Sequence, residues 1–148
     1  MKQQHTQRGV TLIELMIVVV IVAMIASFAY PSYMNYVVNT KRTAATSALL
    51  QIADRQQQFF MDNKRYAAGL SELGYDNDFV WVDDQGNPVV AGDAESVYVI
   101  GLANVGGMNY LGFAAPLNIQ LKHDGKCGAL TLNQSGKRDN TGTSDDCW

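Results

Sequence analysis

Residues 15–26 read LMIVVVIVAMIA, twelve apolar residues in a row. They sit in a longer stretch, 10–30, whose only polar members are Thr11, Glu14 and Ser27. Nothing else in the chain limits its fold so strongly. Those 21 residues are about 31 Å long as a helix, enough to cross the hydrocarbon of a bilayer. One reading is a secretory signal, with Lys2 and Arg8 as its basic start and Ser27-Phe28-Ala29 as a small-x-small cleavage site. Another is a plain anchor whose basic leader stays in the cytoplasm while the rest is exported. Glu14 suits neither. An acid at the head of the apolar stretch weakens a signal, and one at a membrane centre costs roughly 2.5–3.5 kcal/mol. Near the end of a spanning helix it is tolerated, but without a purpose.

The chain beyond the run separates these readings. Tyr33, Tyr36, Val37, Ala44, Ala48, Leu49, Ile52 and Phe59 recur mostly at spacings of three, four and seven. Asn35, Lys41, Arg42, Asp54, Arg55 and Gln56–Gln58 lie between them. The pattern predicts an amphipathic helix to about Asn63, continuous with the apolar run and kinked near Pro31. A cleaved signal has no need of a helix that passes through its own boundary. The apolar stripe of the second half needs a partner from the rest of the chain.

That remainder reads as a small antiparallel β-domain. Residues 63–95 are broken by Gly69, Gly74, Gly86 and Asn87-Pro88. Residues 79–82 and 89–90 flank DDQGNP as a minor hairpin. Residues 97–102, 109–115 and 129–133 are clearer strands, with Gly106-Gly107 and 133–136 supplying turns. One long helix on a meander of three or four strands is an α+β fold.

Charge and cysteine narrow the function. From 66 to 121 there are seven acids and no Lys or Arg, so this stretch does not bind nucleic acid through phosphates. Residues 116–148 hold four bases (Lys122, Lys126, Lys137, Arg138) and four acids (Asp124, Asp139, Asp145, Asp146), a balance that does not argue for a phosphate track unless folding segregates the signs. An exported domain makes one disulfide the default for Cys127 and Cys147. No catalytic residue is assigned. His123-Asp124 with Ser135 lacks any nucleophile-elbow sequence, and His123 is expected in a polar loop. No metal or cofactor site is assigned, because two cysteines and one histidine do not make a zinc site. Asp139, Asp145 and Asp146 lack the alternating spacing of a calcium loop.

Gly9-Val10-Thr11-Leu12-Ile13-Glu14-Leu15, after a short basic leader, resembles the type IV prepilin motif. CGALTLNQSGKRDNTG…CW at 127–148, with YPSYMNYV at 30–37 and LSELGY at 70–75, is similar to PilE-type minor pilins of Gram-negative type IV pili. The resemblance implies the type IV pilin fold, a long N-terminal helix packed on a small antiparallel sheet. It implies a leader at 1–9, a membrane and filament-core segment at 10–30, and a globular domain at 31–148. A prepilin peptidase would cut between Gly9 and Val10 and N-methylate Val10, which stands where the family usually has Phe. Glu14 would pair with the N-terminal amine of a neighbouring subunit during assembly. The expected partners are other pilin subunits through this helix, the peptidase, the inner membrane and its assembly machinery. The precursor would be a single-pass inner-membrane protein and the product an extracellular filament for twitching motility, adhesion or DNA uptake. A DNA-binding or adhesive minor pilin, and a pseudopilin of type II secretion, are the alternatives.

Overall fold

A computed structural model describes residues 10–148. The expected leader and its last residue, Gly9, lie outside the described residues. The chain forms two compact units, one ending at Tyr36 and the other Val37–Trp148. The sequence reading divides the chain after residue 30; this division falls six residues later.

Helix α1 (Leu12–Asn63) is one helical assignment with Pro31 inside it. Thr11 precedes its first turn and accepts a hydrogen bond from the Glu14 backbone N–H through Oγ1 at 3.3 Å. This N-cap uses the threonine hydroxyl to occupy a donor that a helix start leaves free. In the first unit the described helix side chains are exposed up to Tyr33. Leu15, Ile21 and Ile25 are 59%, 51% and 63% exposed.

In the second unit α1 buries Val38, Ala45, Leu49, Ile52 and Gln56, a stripe at helical spacing. Leu49 and Ile52 belong to the stripe read from the sequence. Val38 and Ala45 replace the expected Val37 and Ala44, and Tyr33 and Tyr36 are exposed. The stripe packs on one face of a sheet made from β1 (Phe79–Val82), β2 (Pro88–Val89), β3 (Tyr98–Ala103), β4 (Leu111–Pro116), β5 (Leu130–Asn133) and β6 (Arg138–Asn140). The order is β2-β1-β3-β4-β5-β6, antiparallel throughout. Side chains alternate along the strands, so Val82, Ile100, Ala114, Leu130 and Leu132 meet the helix.

Six strands correct the expected three or four. β6 reads RDN, with no apolar residue to mark it, and it is recruited by the turn at 133–136. Asn133 Oδ1 accepts from the backbone N–H groups of Ser135 and Lys137 at 3.1 and 2.9 Å, which closes that hairpin. Pro88 is a strand residue because β2 is an edge, where a missing N–H costs no ladder bond. Two further corrections concern loops. A 3-10 turn (Leu70–Leu73) interrupts the irregular stretch, and its Ser71 N–H and hydroxyl both donate to Asp78. His123 closes a short helix, α2 (Asn118–His123), rather than lying in a loop.

Candidate functional surfaces

Asp124 holds the globular unit together. It is buried, and its carboxylate accepts from Arg42 Nε at 3.2 Å and Arg42 NH2 at 2.5 Å. Tyr98 Oη donates to it at 2.8 Å and Gln120 Nε2 at 3.2 Å. The four residues join α1, β3, α2 and the segment after α2. Hydrogen bonding to Asp124 raises the Arg42 pKa. Burial, followed by the bond to Asp124, pushes the Tyr98 phenol well up. Among the described residues no buried side-chain nitrogen or oxygen lacks a partner. The sequence carried a sign of this network that went unread. Arg42 stands on the buried stripe of α1, four after Val38 and three before Ala45, and a cation there requires an internal acid. Gln56, on the same stripe, reads the backbone of Ala67 with both ends of its amide, at 3.1 and 2.9 Å.

Cys127 and Cys147 are joined, closing a loop that contains β5 and β6. Within it, Thr143 and Ser144 N–H donate to the Lys126 carbonyl, at 2.8 and 3.1 Å. Asp139, Asp145 and Asp146 do not converge, and no group of metal-ligating side chains occurs among the described residues. His123 and Asp124 are adjacent in the chain, but Asp124 is committed to Arg42, Tyr98 and Gln120, and no bond joins the histidine to Ser135.

Strand register sorts the bases. β5 pairs Leu111 with Asn133, and β6 pairs Leu132 with Arg138. The 104–110 loop and the 134–137 turn therefore share one end of the sheet. Tyr66 N–H donates to the Gly107 carbonyl at 2.7 Å, which brings Lys64 and Arg65 to that end. Lys122 and Lys126 precede β5 and lie at the opposite end. The four C-terminal bases are thus two separate pairs. The first end gathers Lys64, Arg65, Lys137 and Arg138 around a 104–110 loop that carries no charge.

These four bases are lightly held. Arg65 pairs with Glu72 at 2.9 Å and Lys137 with Asp139 at 2.9 Å, with every partner at least 36% exposed. The Lys137 ammonium holds the Asp139 carboxyl below its ordinary range. Arg138 lies over the Trp148 ring at 5.5 Å and Arg65 over Phe59 at 5.1 Å. Such exposed pairs are weak, so an incoming anion can displace the acid from Arg65 or Lys137. Phe60, Tyr66 and Tyr110 form the apolar floor of this end, with centroids 4.7 and 4.9 Å apart, and burial pushes the Tyr110 phenol up to about 12.

Residues 31–131 match the family described as type IV minor pilin ComP, DNA uptake sequence receptor. Residues 4–30 match the prokaryotic N-terminal methylation motif. The chain belongs to the type IV minor pilin ComP family. No curated protein matches it. This minor pilin is therefore a component of a type IV pilus, an inner-membrane precursor that becomes part of an extracellular filament with other pilins after peptidase processing. The exposed apolar helix up to Tyr36 is the part that a bilayer or neighbouring helices must cover. Glu14 lies at its start; its backbone enters the Thr11 cap, and its carboxylate makes no bond to another described residue.

Proposed function

We propose that this minor pilin captures DNA during uptake, using the sheet end that carries Lys64, Arg65, Lys137 and Arg138. The single observation that supports this most is their convergence on one end of the domain around an uncharged, glycine-containing loop. Lysine and arginine there meet phosphates, while Gly106 and Gly107 allow the backbone to come close. The description of the matched family, a DNA uptake sequence receptor, supports the same reading. The chain is acidic overall, with 14 acids against 11 bases, so a local cluster and not net charge must do the binding.

Four phosphate contacts correspond to a fall in log affinity with log salt of slope about −3.6 for duplex DNA. The test is gel-shift binding of the full chain across a salt series. Lys137→Ala/Arg138→Ala should flatten the slope by about 2 and reduce DNA uptake by cells. Unchanged binding and uptake in that variant would remove the proposed surface. Lys122→Ala/Lys126→Ala, at the other end, should leave the slope unchanged.

Cleavage between Gly9 and Val10, methylation of Val10 and pairing of Glu14 with a neighbour's amine belong to the same reading. After cleavage the Thr11 cap begins one residue from the new ammonium, at the positive end of the helix dipole. A cation in that position is unfavourable, so a neighbour's or its own Glu14 carboxylate is the natural counter-charge. Intact mass and N-terminal mapping of the protein in sheared filaments check it. A methylated Val10 is expected, and an N-terminus near Tyr30 would overturn it.

A further inference from the structure

A cavity of about 520 Å³ opens beside the β2–β1 edge, away from the residues used above. Its walls include Tyr75, Asp76, Phe79, Trp81, Val89 and Val90. Val80 and Val82 turn toward the core, so Phe79 and Trp81 stand on the opposite face of β1. Their ring centroids are 6.3 Å apart with planes inclined at 58°, two walls of a corner. The corner is fixed from behind. Phe79 also meets Phe113, at 6.4 Å, across Gly101, where an added Cβ would come within 2.9 Å of both rings.

Asp76 is the one charged residue among the cavity's walls. Asp76 is exposed and has no hydrogen-bond or ion-pair partner among the described residues. Arg55 is already engaged, lying over the Tyr75 ring at 4.5 Å and donating to the Leu73 carbonyl at 3.0 Å. Tyr75 thus already carries a cation, while no described cation lies over the rings of Phe79 or Trp81. Aromatic faces attract a cation within about 6 Å of the ring centroid, most strongly when the cation is weakly hydrated. A primary ammonium is strongly hydrated and asks for an acceptor on each N–H, whereas beside Asp76 and Asn77 the walls are mainly aromatic and aliphatic. A methylated ammonium needs only aromatic faces, apolar contact and one counter-charge.

We infer that this cavity binds a quaternary ammonium group of the choline type. Such a group reaches a surface protein either as the free cation or displayed beside a phosphate. The full chain, held in an uncharged maltoside detergent, is titrated calorimetrically with choline, tetramethylammonium, phosphocholine, ethanolamine and potassium chloride. Saturable binding of choline and tetramethylammonium is expected, with ethanolamine at least tenfold weaker. Asp76→Asn should weaken choline binding about fivefold and Trp81→Leu at least tenfold, while Lys137→Ala/Arg138→Ala should not change it. Phosphocholine binding as tightly as choline would assign the displayed headgroup, and its exclusion would assign the free cation. Absence of saturable binding, equal binding of ethanolamine or potassium, or wild-type affinity in Asp76→Asn would each overturn the inference. Asp76→Asn changes an exposed side chain with no partner, so it decides the matter even where Trp81→Leu does not fold.

Discussion

Residues 15–26 and residues 38–56 belong to the same helix, yet they treat their apolar side chains in opposite ways. In the first, valine, isoleucine and methionine surround the helix and every one is more than half exposed. In the second, eight of the nineteen residues are apolar, and those at 38, 45, 49 and 52 are buried against the sheet. The second region completes itself, down to a partly buried cation and a buried acid that pair with each other. The first leaves its apolar side chains exposed among the described residues. A segment of that kind is an assembly element, because lipid or other helices must supply the surface that the fold leaves out.

The sharpest way to break the comparison is Asp124→Ala. Removing the buried carboxylate leaves the partly buried Arg42 guanidinium and the buried Tyr98 and Gln120 donors without their acceptor, and the globular unit should lose about 3 kcal/mol, the low end of the range for a fully buried pair. Thermal unfolding of the full chain in detergent measures it. A paired replacement, Arg42→Met with Asp124→Leu, should recover only part of the loss, since it relieves the cation but leaves the buried Tyr98 and Gln120 donors without their acceptor. Opening the disulfide by Cys127→Ser/Cys147→Ser comes next, at about 3 kcal/mol in the chain-entropy model, and should free the β5–β6 end before the rest. Tm with and without reductant checks it.

Alkaline titration has a smaller effect. The Tyr110 phenol is raised by burial, so its neutral form stabilises the folded state below pH 10, the unfolded value. That contribution should fall away between pH 10 and about 12, where the folded protein also ionises. Late-appearing phenolate absorbance that coincides with unfolding would show it. The smallest effect on stability is Glu14→Ala, which should leave the domain's Tm unchanged while processing stays normal and filament incorporation falls steeply. Normal incorporation would mean that the carboxylate serves the helix start alone.

The architecture was largely legible beforehand. The apolar run, the three principal strands, the minor hairpin and the end of α1 all appear where periodicity and turn residues put them. What escaped was short or polar. β6 has no apolar signal, and α2 has six residues whose exposed Ile119 and Leu121 do not mark a buried face. The helix stripe slipped by one residue at Val38 and Ala45, because adjacent valines at 37–38 and alanines at 44–45 fit either register equally well.

Residue chemistry near the N-terminus is local, so the sequence by itself determined the membrane-length helix, the prepilin-like start and the place of Glu14. A hydrophobic run and a cleavage motif need no neighbours in space to be read. The grouping of charges was different. Lys137 and Arg138 are eleven or more residues from Lys126 in sequence and more than seventy from Arg65, and only strand register separates them from the first and joins them to the second. The Arg42–Asp124 pair spans 82 residues, and the aromatic corner depends on which face of β1 turns outward. Tertiary structure decided these, because an electrostatic or aromatic site is defined by distances that the chain acquires only when its sheet is assembled.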